Sequence, residues 1–238
     1  MSNSVKEEAL KKIVEEFVQE ILALLSEVKE QQKPTSEIVV TANKNEDWLK
    51  PFFAHIRPSP LYKRLTTSQV SGHKDIIKAL KKHNVPLSHA AYVLATAYHE
   101  TAHKMQPVRE GLRASDAWRK RNLRYYPWYG RGHVQLTWRE NYVKADQKLG
   151  LGGTLVANAD RALEPDISAE VLVVGSVEGW FSEDKRGRHT LARHLPNGNT
   201  ATRAQFKQAR RIINLMDRAD QIAGYALVYQ EALKKAGY

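Results

Sequence analysis

Tyr129-Gly130-Arg131-Gly132-His133-Val134-Gln135-Leu136-Thr137-Trp138-Arg139-Glu140-Asn141-Tyr142 is the densest run of chemistry in the chain. A glycine pair brackets Arg131. An alternating run follows, with Val134 and Leu136 on one side and His133, Gln135 and Thr137 on the other. Period two predicts a brief strand with Gln135 and Thr137 on one face. Asn141 falls one turn into the next helix. Two amides and a hydroxyl gathered this way suit a hydroxyl-rich ligand, because each can donate and accept. As bare pattern, the run is equally a glycine-rich turn feeding a strand edge.

Outward from this run, the chain reads as mainly helical. Residues 75–83 form a short helix with Ile76, Ile77 and Leu80 inward. Ser88 caps the next, which runs through Tyr92, Leu94, Ala95 and Tyr98 to about Met105 and is stopped by Pro107. Residues 111–128, rich in arginine and aromatics, are expected to be irregular. Helices follow at 140–149 and at 168–181, the latter strongly apolar. Residues 182–200 form a basic loop containing Asn197-Gly198. Thr202 and Gln205 make a capping box opening a helix to at least Asp217, and 219–235 is helical again. The only β element expected lies around 131–137.

Before the compact domain, which should span 48–238, residues 4–31 read as an amphipathic helix. Ser4 and Glu7 are spaced as a capping box, and Leu10, Ile13, Phe17, Ile21, Leu24 and Val28 recur every three or four positions. This N-terminal element, residues 1–33, can pack on the body, self-associate or bind a partner. Lys33-Pro34 ends it, and 34–47 reads as a linker with Ile38-Val39-Val40 as a short strand.

Charge and composition narrow the function. The 238 residues carry 37 Lys and Arg against 26 Asp and Glu, a net +11. Residues 1–50 hold seven Lys, no Arg and ten acids, so the remainder carries +14. A basic catalytic region implies an anionic partner. No nucleic-acid-binding signature is present, so the polyanionic bacterial envelope is favoured over nucleic acid. With no cysteine, disulfides and thiolate chemistry are excluded. No signal peptide is visible, and the longest apolar run, residues 21–25, is far too short for a transmembrane segment.

Tyr126, Tyr129-Gly130-Arg131-Gly132, Gln135-Leu136-Thr137 and Asn141-Tyr142 together resemble the core motif of the family 19 glycoside hydrolases. These are the plant-type chitinases and their bacterial and phage lysozyme-like relatives. The resemblance runs from about Ala90 to about Tyr229 and implies a lysozyme-like α+β fold. Ala97-Tyr98-His99-Glu100-Thr101 is similar to the family's His-Glu-Thr segment, whose Glu is the general acid. Independently, Glu100 ends an apolar helix, where burial would disfavour its charged form. Glu110, ten residues on and past the proline, is the base candidate. That spacing is one residue longer than in relatives lacking the long plant-type loops. The family inverts stereochemistry, its second carboxylate activating a water. Thr137 stands where the family positions that water with a Ser. Gln135 and Asn141 stand where it binds sugar. Asn214, in Arg211-Ile212-Ile213-Asn214, resembles a later cleft segment. Tyr129 and Arg131 complete the expected substrate-binding set.

His99-Glu100-Thr101-Ala102-His103 also fits H-E-x-x-H, in which two histidines one helical turn apart bind zinc. The extended form needs Gly at 106 and His at 109, but Gln106 and Arg109 stand there. Glu178 or Glu183 as third ligand stands in no recognisable motif, and a zinc hydrolase leaves the 130–142 run unexplained. No metal or cofactor is therefore expected. A non-catalytic wall-binding module, with Trp118, Trp128 and Trp138 stacking on sugar, leaves both Glu100 and Glu110 unexplained. The expectation is a bacteriolytic lysozyme or phage endolysin cleaving β-1,4 bonds of peptidoglycan, with chitin as the alternative substrate. It would be made in the host cytoplasm and released to the wall.

Overall fold

The computed structural model describes residues 47–238, with Gln19 alone before them. The amphipathic helix expected at 4–31, and the linker and short strand expected between 34 and 46, lie outside the described residues. From Trp48 onward the chain is one compact unit. The expected mainly helical class holds, with only two-residue strands: Val108–Arg109 pairs with Arg131–Gly132, and Glu183–Asp184 with Gly187–Arg188, both antiparallel.

The helix Leu87–Glu100 forms the axis. Every residue from Ser88 to Tyr98 is buried, so the helix is apolar all round rather than amphipathic, as befits a core element. The C-terminal helix Ala219–Lys235 packs most extensively on it. That helix buries Ala219, Ala223, Ala226 and Ala232, and the axis buries Ala90, Ala91, Ala95 and Ala97. Small side chains let two backbones approach closely. The helices Thr67–Lys82 and Pro165–Glu178 pack together on another side. Buried polar groups pin the layers. The Tyr62 and Tyr229 hydroxyls lie 2.7 Å apart, and His73 Nε2 is 3.0 Å from Tyr229 Oη. His73 Nδ1 donates to Gln69 O at 2.6 Å.

Several boundaries differ from expectation. The first of these helices begins at Thr67, not near 75, because Thr66 and Gln69 close a capping box. Ser88 is not a cap. Pro86 holds that position, and the Ser88 N–H instead donates to Gly198 O at 2.9 Å. The axis stops at Glu100, short of Met105. The Thr101 hydroxyl donates to Ala97 O at 2.7 Å and accepts from Met105 N–H at 2.9 Å, turning the chain at once. Residues 111–128 contain a helix, Asp116–Asn122, whose cap Ser115 accepts from Trp118 N–H. The capping box at Thr202 and Gln205 forms, but its helix is broken into Arg203–Ala209 and Arg211–Asn214.

Candidate active site

Glu100 ends the axis helix, and its Oε1 accepts from Arg210 Nη1 at 2.8 Å. The Arg210 side chain is fully buried and that of Glu100 is 16% exposed. The apolar setting expected for Glu100 is thus replaced by an ion pair. Arg210 is held from behind, its Nε donating to Asp217 O at 2.9 Å. Its Nη2, the Tyr92 hydroxyl and the Thr96 hydroxyl are buried without hydrogen-bond partners. Tyr92, Thr96 and Glu100 follow one another at four-residue steps on one side of the helix. Burial chiefly, against lowering contacts with Thr96 and Arg210, raises Tyr92 to about 12. Nothing near Glu100 in sequence announces Arg210. Its one signal is adjacency to the Arg211-Ile212-Ile213-Asn214 segment. Asn214 lies exposed on the same turn, its O accepting from Asp217 N–H at 3.2 Å.

Glu110 follows the strand Val108–Arg109. The Tyr125 hydroxyl donates to Glu110 Oε1 at 2.6 Å and the Gly130 N–H to Oε2 at 2.9 Å. The bond to Glu110 is the main reason Tyr125 is raised to about 12, so Tyr125 keeps its proton. The Glu110 backbone N–H returns a bond to Gly130 O at 2.7 Å. A side chain on Gly130 would begin 2.9 Å from Gln135 Oε1 and 3.1 Å from Glu110 Oε2. Glycine here lets amide and carboxylate share one pocket.

The predicted strand over 131–137 is instead two strand residues and a tight turn. Arg131 and Leu136 exchange backbone bonds at 2.8 and 3.2 Å, and Gln135 takes φ +54°. His133, expected beside Gln135, is fully buried. Its Nδ1 lies 2.7 Å from Ser168 Oγ, and burial pushes it down to about 4. Gln135 Nε2 donates to Val108 O and Gly132 O at 3.1 and 3.2 Å. The Thr137 hydroxyl donates to Gln135 O at 2.7 Å, and Asn141 Nδ2 to Thr137 O at 2.8 Å. These donors hold the loop together. The oxygens Gln135 Oε1, Thr137 Oγ1 and Asn141 Oδ1 are left to accept, so the loop offers acceptors rather than both functions.

Tyr129 and Arg131 are both buried. Arg131 donates to Asp160 Oδ1 and Pro127 O at 2.7 Å each, and its guanidinium lies 3.5 Å from the Tyr129 ring centroid. Both frame the hairpin from behind. The H-E-x-x-H geometry does not form. The helix ends at Glu100, and His103, at φ +68°, stacks on the Tyr98 ring at 4.2 Å. His99 and His103 are therefore not two ligands one turn apart on a helix.

A cavity of about 540 Å³ lies elsewhere, between the helices Thr67–Lys82, Arg139–Lys148 and Pro165–Glu178. Its carboxylates are largely paired: Glu170 with Lys82 and His83, Asp166 with Lys78, and Glu178 with Lys148. Asp75 there is raised by burial and by Asp166. No chain of donors like that around Glu110 surrounds it.

No family model matches the chain, and no curated protein matches it. Two solved structures are similar in fold. Chitinase C from Streptomyces griseus HUT6037 is 20% identical with a TM-score of 0.48, over 79% of this chain and 75% of that one. A bacterial family 19 chitinase is 21% identical with a TM-score of 0.50, over 79% of this chain and 93% of that one. What the second likeness shows is the fold: this chain has the mainly helical, lysozyme-like fold of a family 19 chitinase.

Proposed function

We propose that the protein is a glycoside hydrolase cleaving β-1,4 bonds of bacterial peptidoglycan by an inverting, two-carboxylate mechanism. One observation carries the reading: two carboxylates close in sequence are held in opposite ways. Glu100 is pinned at one oxygen by a buried cation, and its Oε2 takes no hydrogen bond among the described residues. A proton on Oε2 would pass to the leaving oxygen, and Arg210 would stabilise the carboxylate left behind. Interactions that strengthen as charge develops lower the barrier. Glu110, accepting from Tyr125 and Gly130 N–H, suits an ionised base that draws a proton from water. The Thr137 and Gln135 oxygens would accept that water's other hydrogen or a sugar hydroxyl. Inversion needs room for the water, with carboxyls roughly 6.5–9.5 Å apart in the substrate complex.

Peptidoglycan is favoured by the +14 charge of the chain beyond residue 50. The cellular role that fits is a phage-type endolysin, made in the host cytoplasm and released to the wall. The fold shared with a bacterial family 19 chitinase favours a second substrate, the neutral N-acetylglucosamine polymer chitin. Reducing-end analysis of digested peptidoglycan and of chitin oligosaccharides separates the two, and the anomer first released reports the stereochemistry. Release of new amino termini instead of reducing ends would sink the glycosidase reading, and a retained anomer would sink inversion.

A further inference from the structure

The stretch 111–139 holds seven arginines and lysines against one acid, Asp116. Asp116 is already engaged by the Tyr126 hydroxyl at 3.0 Å. Two of the seven cations, Arg119 and Arg131, are buried and serve the framework. The other five are exposed, and none has an ion-pair partner among the described residues. Like charges gathered without counter-ions repel one another and raise the local potential, which weakens the fold unless an anion is brought there.

This flank is fastened to Glu110. The buried Arg119 donates from Nε to Glu110 O at 2.9 Å and from Nη2 to Gly111 O at 3.0 Å. Tyr125, which holds the Glu110 carboxylate, has its ring 5.0 Å from that of Trp138. The Arg124 guanidinium stands 5.1 Å from the Trp138 ring centroid. The cations therefore begin one residue layer from the carboxylate. Trp118 and Trp138 are each 41% exposed among them. Exposed rings suit the apolar face of a sugar, and guanidinium forks suit carboxylates. A neutral glycan would leave the five cations unused.

We propose that this flank binds the carboxylates of an acidic β-1,4-glycan, those borne by peptidoglycan, beside the bond presented to Glu110. Arg121 and Arg124 would be the residues that set specificity against neutral glycans. The inference rests on the hydrolase reading for its choice of ligand, and its test does not depend on turnover.

The full chain carrying Glu100→Gln is bound to insoluble peptidoglycan, to the same peptidoglycan with its carboxyls amidated, and to chitin. Each lost charge-assisted contact is worth roughly tenfold in affinity. The ratio of peptidoglycan to chitin binding should thus fall at least roughly tenfold on amidation and again in Arg121→Gln/Arg124→Gln. Lys185→Gln/Arg186→Gln, which removes the same charge from an exposed hairpin elsewhere, should leave the ratio in place. An unchanged ratio in the flank variant, or an equal fall in the Lys185/Arg186 control, overturns the proposal. So does a flank variant that loses only binding to duplex DNA. Carboxylate-dependent binding in a wild-type protein that cleaves no glycan would instead defeat the hydrolase reading and leave the flank assigned.

Discussion

Each carboxylate depends on one distant partner. Arg210 reaches Glu100 across 110 positions, and Tyr125 reaches Glu110 across 15. Glu100→Gln keeps the shape and an acceptor for Arg210 but cannot donate an acidic proton. Activity should drop by roughly 10²–10⁴-fold with an unchanged circular dichroism spectrum. More than about a tenth of wild-type turnover would show that Glu100 is not the acid. Tyr125→Phe removes one bond to a charged acceptor, worth about 1.5–3 kcal/mol. kcat should fall by roughly tenfold to a hundredfold. The melting temperature should move little, since Tyr125 is only half-buried. A variant with full kcat would remove Tyr125 from the machinery. Glu100 was legible in the sequence because it ends an apolar helix within a His-Glu-Thr segment. Arg210 and Tyr125 were not, because long-range pairing leaves no local pattern.

At the scale of elements, the hairpin around 130–136 and the turn after the axis helix carry the geometry. Gly130→Ala would push a methyl group toward Glu110 Oε2 and Gln135 Oε1. The expected result is a loss of turnover well beyond the loss of stability, read from kinetics and a thermal melt on the same preparation. A variant as active as wild type would mean the two side chains need not share that pocket. Buried histidines tie these elements together, His133 to Ser168 and His73 to Gln69 and Tyr229. Burial pushes both down to about 4. Unfolded, each titrates near 6.5. Between those values the unfolded chain binds more protons, so stability is full above about 6.5, falls as the pH drops, and the loss is complete below about 4. Each histidine contributes on the order of 3 kcal/mol to that loss. Melting temperatures recorded from pH 7 to pH 4 should decline, and His133→Gln should flatten the decline. A level wild-type profile would contradict the burial of a neutral His133.

For the whole molecule, the proposed chemistry lies entirely after Trp48, and the first 50 residues are net acidic. Deleting residues 1–33 should therefore leave turnover on solubilised wall fragments within about twofold, since an acidic segment adds nothing to attraction for a polyanion. Its apolar stripe, Leu10 to Val28, predicts a change in assembly or in lysis of whole cells instead. Parallel assays on fragments and intact cells, with a size measurement on each, decide this. A truncated protein that is folded and monodisperse yet dead on fragments would place the segment inside the active domain.

The sequence by itself determined the helical class, because burial imposes a period on helix faces that survives without any knowledge of partners. The C-terminal helix was expected at 219–235 and is found at Ala219–Lys235. The capping box at Thr202 and Gln205 forms as its spacing requires. Helix Asp116–Asn122 escaped notice because its one buried residue is Arg119, and a charged helix shows no apolar period. The true end of the axis helix escaped too, since Ala102 and His103 at positive φ carry none of the glycine or proline signals of a stop. Only the tertiary structure decided that His133 is a buried clasp, that Tyr129 and Arg131 support the hairpin from behind, and that a buried guanidinium stands against Glu100. Those outcomes depend on which surfaces meet, and residues that meet across 110 positions are set by packing rather than by any local spacing.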